Sequence, residues 1–385
     1  MSTARSDVAP RAVSPLRHRD FRLILLASAT AFSGYALLLP VVPLWAVQQG
    51  AGTVAAGAAT GVFMTSCVLA QFATSALVRR YGYRTVLLCG ALFLVIPTPL
   101  LIAMTGAPAI LGISLLRGIG FGLVTVCGSA LIAELLPAGS VARGSGLYGL
   151  AAGLPQLLGL PLGTWIAEHW GFSQVFVLAT ALPLCAVVPI VLLRRVTPRH
   201  RPTGERGLRT VVAATWQPWL PMLAASTGFG ALATFLPIVV TSPASALALF
   251  VVPCAAMLAR WAAGHLGDRM AGAGRMLPAG LACAGIGLAA FALLAAYPLP
   301  AVLAVALFGI GFGVVQNDAL VAMFARAPAG PASVAWNVAF DAGQGLGAVA
   351  VGAIVTGTTF PVAFGLLAAW ALALLPVAWL ARRSG

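Results

Sequence analysis

The chain has 385 residues, of which 61% are hydrophobic and 8% charged, with 43 glycines and a formal net charge of +14. A water-soluble domain carries about 25% charged residues, so this composition excludes an ordinary soluble fold and leaves lipid as the main solvent. All the basic residues are arginines, set in short breaks between apolar runs, so they do not read as a nucleic-acid surface.

Residues 1–22 form a polar, Arg-bearing tail with no cleavable signal peptide expected. A helix needs about 20 apolar residues to cross the hydrocarbon. On that rule, spans are predicted near 23–45, 54–78, 85–105, 109–133, 145–167 and 172–193. A polar linker follows at 194–215, then spans near 216–240, 244–263, 276–297, 300–323, 332–356 and 360–381, and a short tail at 382–385. The boundary at Thr241-Ser242-Pro243 is the thinnest of these.

Arginine placement tests the count, because inward loops are enriched in Lys and Arg. With the N-terminus inside, 20 of the 22 arginines fall in inward segments, the tail, the linker and the C-terminus included, and none in outward loops. The remaining two, Arg117 and Arg260, lie within spans. Twelve spans are therefore expected, with both termini cytoplasmic in the cell inner (plasma) membrane. The halves also repeat. Gly118-Ile119-Gly120-Phe121-Gly122 in the fourth span recurs as Gly309-Ile310-Gly311-Phe312-Gly313 in the tenth. The expected fold is all-α, two six-helix bundles over 23–193 and 216–381.

The six cysteines lie within apolar segments without a CxxC pair, and the histidines are scattered, so neither a metal site nor a cofactor is expected. No nucleophile–base pair points to an enzyme, and no GxxxxGK[ST] loop points to ATP.

After the eighth span the chain reads Gly264-His265-Leu266-Gly267-Asp268-Arg269. This resembles the G-x-L-x-D-R signature of the major facilitator superfamily. Ser75-Ala76-Leu77-Val78-Arg79-Arg80, with Arg84 beyond, is its decayed copy in the first half. The resemblance implies a gating loop in which Asp268 meets the start of the fifth span near Gly144, since a helix N-terminus favours an anion. Arg79 stands where the first copy should have Asp, so that lock is expected to be weaker, or held by Glu134 against Arg79, Arg80 or Arg84. Leu116-Arg117-Gly118-Ile119-Gly120 resembles the family's arginine–glycine signature of proton-coupled members. The fifth span, with Gly149, Gly153, Pro155, Gly159, Pro161 and Gly163, resembles the signature of drug–proton antiporters, although Pro161 sits one place late and Thr164 replaces a Gly.

Charges inside the membrane normally face a cavity or a partner. Counting 1.5 Å per residue puts Arg260, Asp318 and Asp341 near one level in the second half. An Arg260–Asp341 ion pair with Asp318 nearby is expected, one carboxyl holding a proton and Asp341 the first candidate as carrier. Arg117 has no acidic residue within its own half's spans. It should reach the other half, meet an anionic group of the substrate, or sit hydrated in a cavity. Tyr35, Gln71, Gln156, Gln316, Asn317, Trp336, Asn337 and Gln344 are further cavity-lining candidates.

The reading is a monomeric secondary transporter whose partners are protons, lipid and a small-molecule substrate. Export of a partly apolar compound, as in multidrug resistance, is its leading form. Uptake or facilitated transport of a small metabolite, anionic where Arg117 meets it, is the alternative.

Overall fold

The computed structural model describes residues 15–104, 106–196, 208–240, 243–267 and 273–383. In lipid every backbone N–H and C=O must be satisfied within the protein, which a helix does by itself. The described residues accordingly form twelve helical spans, with no strand among them. The first half holds α1 (Arg19–Gln48), α2 (Gly52–Tyr81), α3 (Tyr83–Val95, continued by Leu100–Ala103), α4 (Ala107–Leu135), α5 (Ala138–His169) and α6 (Phe172–Leu192). The second holds α7 (Leu208–Val239), α8 (Pro243–Gly267), α9 (Leu277–Leu294), α10 (Pro298–Phe324), α11 (Ala329–Ile354) and α12 (Phe360–Ala373, continued by Leu375–Arg383).

All twelve expected spans are present, and two details differ. The span expected over 85–105 is interrupted where Pro97 and Pro99 fall, because proline removes a donor and crowds the preceding turn. Helix α7 begins at Leu208, inside the stretch read as linker. Its early residue Val211 is fully buried in a small apolar cluster with Met323, Ala332 and Ala335, which rewards helix beyond the lipid boundary.

Eleven of the helices are apolar enough to cross a membrane by composition, and α11 is not among them. Asn337, Asp341 and Gln344 dilute it, so it needs shelter from lipid, and it finds this against α7 and α2. Large apolar side chains such as Leu293, Leu299 and Val188 remain exposed on the outside of the bundle. In water such a surface would aggregate; in a bilayer it is solvated by lipid tails.

The two halves repeat one packing plan. Helix α2 packs on α4 as α8 packs on α10, α3 on α4 as α9 on α10, and α1 on α5 as α7 on α11. Between halves, α2 meets α11 and α8 meets α5, while α1 meets α7. This is a pseudo-two-fold arrangement. The GIGFG repeat explains how it is built. A Cβ on Gly118 or Gly122 would overlap the carbonyl oxygens of Phe63 and Cys67 on α2. On Gly309 or Gly313 it would meet those of Val252 and Ala256 on α8. Gly120 and Gly311 face the opposite side, toward Gly90 on α3 and Gly280 on α9. Each copy thus brings three backbones together, the close approach that small residues allow in membranes. The phenylalanine of each copy centres an aromatic cluster. Phe121 stacks on Tyr35 at 4.2 Å, and Phe312 on Phe229 at 4.9 Å.

Candidate transport site

The two halves are bonded to each other from their outer ends to mid-height. "Outer" here means the face opposite the start of α1 and the end of α12. Thr53 donates to the Gly352 carbonyl at 3.4 Å, and the Thr60 and Thr234 hydroxyls lie 3.1 Å apart. Tyr35 donates to Gln344 Oε1 at 3.1 Å. Deeper still, Gln71 Nε2 donates to Asp341 Oδ2 at 2.5 Å, and the Cys67 thiol lies 3.5 Å from the same oxygen. Toward the termini-bearing face, Gly146 and Gly149 of α5 meet nothing within 4 Å of an added Cβ. The bundle is therefore closed on its outer side, with α5 standing clear toward the other.

Asp341 and Gln71 are each 4% exposed, and Gln344 is fully buried. Helix α11 carries Asp341 and Gln344 one turn apart. Its Gly343 and Gly347 press against Leu223, Ser226 and Thr227 of α7 and fix its rotation. Both polar side chains then point toward the first half, Asp341 to α2 and Gln344 to α1.

The expected ion pair does not form. Arg260 Nη1 donates to Gln316 Oε1 at 3.0 Å, with its guanidinium 5.5 Å from the Trp336 ring centre. Asp341 is bonded to neutral groups of the opposite half. Asp318 is placed differently again. It accepts the Met276 N–H at 2.8 Å, at the N-cap position of α9, where the exposed amides of a helix start favour an anion. Axial depth alone groups these three together; the direction of each side chain around its helix separates them.

Arg117 does not reach the second half. It is 4% exposed, and its guanidinium lies 5.5 Å from the Phe63 ring centre. Its Nε has no hydrogen-bond partner. A cation over an aromatic ring gains ~0.5–2 kcal/mol. An arginine at mid-membrane costs ~2.5–3.5 kcal/mol on insertion scales, so the ring does not fully balance the charge. Arg117 lines a small cavity, with room for about one water, together with Tyr35, Thr60 and Ser114.

Among the other expected residues, Trp336 donates to the Gln316 carbonyl at 3.1 Å and stacks on Phe340. Asn337 bonds the Ser333 carbonyl of its own helix. Gln156 and Asn317 are half-buried, and Asn317 approaches Gly264. Tyr83 donates to Glu134 at 3.5 Å, beside the turn between α2, whose last turn carries Arg79 and Arg80, and α3, whose first turn carries Arg84. Asp268 and Arg269 lie outside the described residues, and so does the expected contact with Gly144. Sequence reasoning missed Cys67, Thr60 and Thr234, whose small polar groups within apolar runs carry no signal of their own. Among the described residues no group of His, Cys, Asp and Glu is placed to hold a metal.

Twelve helices in two matched halves, eleven of them apolar enough to cross a membrane and the bundle closed on one side around buried polar groups, define a polytopic membrane transporter. The family model for the Major Facilitator Superfamily matches residues 24–335, and the chain belongs to that superfamily, which comprises transporters rather than enzymes. Two curated relatives, both named as uncharacterized MFS-type transporters of Mycobacterium tuberculosis strains, are 26% identical over 191 residues. The match covers 46% of this chain and 28% of each relative. The fold is similar to that of a mutant form of the nucleoside transporter NupG, with TM-score 0.74, 12% identity, and coverage of 94% of this chain and 99% of that one. It is similar also to a POT family transporter in complex with 5-aminolevulinic acid, with TM-score 0.76, 14% identity, and coverage of 95% and 96%.

Proposed function

We propose that the chain exports a small, partly apolar organic compound by proton-coupled alternating access, Asp341 being the proton carrier. One observation carries this reading. A carboxyl group with only neutral partners, Gln71 and Cys67, bridges the contact between the halves. A proton gained or lost there changes the charge within that contact. Alternating access requires the same contact to break and re-form. Proton occupancy and conformation are thereby linked, and a ligand can shift such an equilibrium only through differential interaction with its states.

Tyr35 and Phe63 of the first half and Phe229 of the second line small apolar gaps, faces suited to such a solute once the halves part. Export is favoured by the glycine–proline run of α5, whose Gly159 and Gly163 pack on Ala36 and Leu37 of α1. The arginine distribution favours cytoplasmic termini in the inner membrane. The protein is proposed to work as a monomer.

The test is flux in liposomes with an imposed pH gradient, against a panel of organic solutes. Asp341→Asn should abolish gradient-driven accumulation and spare solute exchange at equal pH. Undiminished gradient-driven transport in that variant removes Asp341 from the mechanism. Solute movement indifferent to pH and membrane potential in the wild type leaves a facilitator.

A further inference from the structure

We infer that the small cavity beside Arg117 is a binding site for one halide-sized inorganic anion, chloride in a cell, which acts as the counter-ion of that arginine. The inference goes beyond the export reading and does not rest on it, because the ion binds without a gradient and without an organic solute.

The cavity lies between α1, α2 and α4, wholly within the first half, and has room for about one water. A chloride ion is only slightly larger than a water molecule, whereas an organic anion does not fit. Arg117 is the sole charged side chain in the lining. Ser114, one helical turn away on the same face, is 2% exposed, and its hydroxyl is bonded to none of the described residues. The Thr60 and Thr234 hydroxyls lie 3.1 Å apart. When Thr234 donates, the Thr60 hydrogen is left to turn into the cavity. Tyr35 donates to Gln344, and the remaining walls are apolar, from Leu38 and Val42 to Ala59 and Phe63. A positive charge with two hydroxyl donors in an otherwise apolar pocket suits a small dehydrated anion.

The second observation is the charge of Arg117 itself. It is 4% exposed, with Nε lacking any hydrogen-bond partner. The Phe63 ring offsets only part of what burying it costs. The acidic residues of the first half stand at helix ends: Asp20 at the start of α1, Glu168 at the end of α5, and Glu134 about 25 Å further along α4. In the second half Asp341 is bonded to Gln71 and Asp318 to the Met276 N–H. A buried charge is normally paired, and an anion in the adjoining cavity supplies the missing partner. The site also borders the contact between the halves, since Tyr35 and Thr60 line the cavity and cross to Gln344 and Thr234. Ion occupancy and the closed outer side therefore share side chains.

The experiment is equilibrium binding of radiolabelled chloride to the full-length protein in nanodiscs of zwitterionic lipid, at constant ionic strength and without a pH gradient. A single saturable site is expected, displaced by unlabelled chloride and bromide. Gluconate and benzoate, too large for the cavity, should not displace it. Arg117→Gln should weaken binding at least about tenfold, the size of one lost charge-assisted hydrogen bond. Ser114→Ala, which keeps the charge, should weaken it less. Ala59→Val, which keeps the charge and fills the space, should prevent binding, and it serves if Arg117→Gln fails to fold. Displacement by gluconate as effective as by bromide would place the ion among the exposed arginines of the termini-bearing face and overturn the inference. Absence of saturable binding, or binding indifferent to both Arg117→Gln and Ala59→Val, overturns it as well. Loss of proton coupling in flux assays would leave chloride binding intact, so the two readings fail separately.

Discussion

The α2–α11 and α8–α5 contacts are equivalent under the pseudo-two-fold, yet they are built from different chemistry. Along α2–α11 the backbones touch. Gly57 abuts Ala348 and Gly352, Gly61 abuts Val349, and the seam ends at Gln71 and Asp341. Along α8–α5 the contact is between side chains. Gly153 lies 3.7 Å from the Met257 sulfur, counted from an added Cβ, and Leu160 lines a narrow apolar gap with Leu249 and Val252. The glycine contacts of α4 and α10 set the register between α2 and α8. Phe63 matches Val252 and Cys67 matches Ala256, so Gln71 matches Arg260 four residues on. One duplicated position therefore holds a neutral amide bonded across the halves and a cation bonded within its own half. A duplicated scaffold has kept its geometry and divided its polar chemistry, with the buried carboxylate on the tight seam.

The largest expected effect comes from locking that seam. Thr53→Cys with Gly352→Cys, in a background freed of the native cysteines, should cross-link and reduce transport to background, with recovery on reduction. The matching pair across the looser contact, Leu160→Cys with Leu249→Cys, should cross-link more slowly. Full transport by the α2–α11 cross-linked protein would show that this seam does not open in the cycle.

A smaller effect should separate the two equivalent positions. Gln71→Leu leaves the Asp341 carboxylate with the Cys67 thiol alone, and a buried group stripped of its partner costs ~1–3 kcal/mol. Arg260→Leu strips Gln316 and the Trp336 ring, both neutral groups. Thermal unfolding in detergent should therefore show the larger loss for Gln71→Leu. Equal losses would mean that the carboxylate places no special demand on Gln71.

The spans, the halves and the repeat can be read from the chain because each is one-dimensional. Apolar length sets a span, arginine position sets its direction, and an offset between two copies sets the repeat. The site cannot be read in the same way. Asp341 and Arg260 stand out in the sequence as buried charges, but which neighbour each meets depends on helix rotation. Rotation is fixed by contacts such as Gly343 and Gly347 on α7, which no single helix reveals. Asp318 shows the same limit, since its partner is a backbone amide 42 residues away. Arg117 is readable as a cation without an acidic partner in its own half. That it stays there, over Phe63, is visible only in the fold.

The smallest expected effect tests whether hydroxyls on the tight seam matter. Thr60 and Thr234 pair across the halves, whereas the position equivalent to Thr60 in the second half is Leu249, by the same register that matches Gln71 with Arg260. Thr60→Val keeps the shape and leaves the Thr234 hydroxyl unpaired, which should cost ~0.5–1.5 kcal/mol in thermal stability. Adding Thr234→Val removes the orphaned group, so the double variant should be no less stable than the single one, a coupling that a mutant cycle reads directly. The double variant also gives the tight seam the apolar character of its counterpart. If it transports normally, backbone packing and the Asp341 bond hold the seam without the hydroxyls. If transport falls while stability recovers, the hydroxyl pair has a role in opening that its small energy would not suggest.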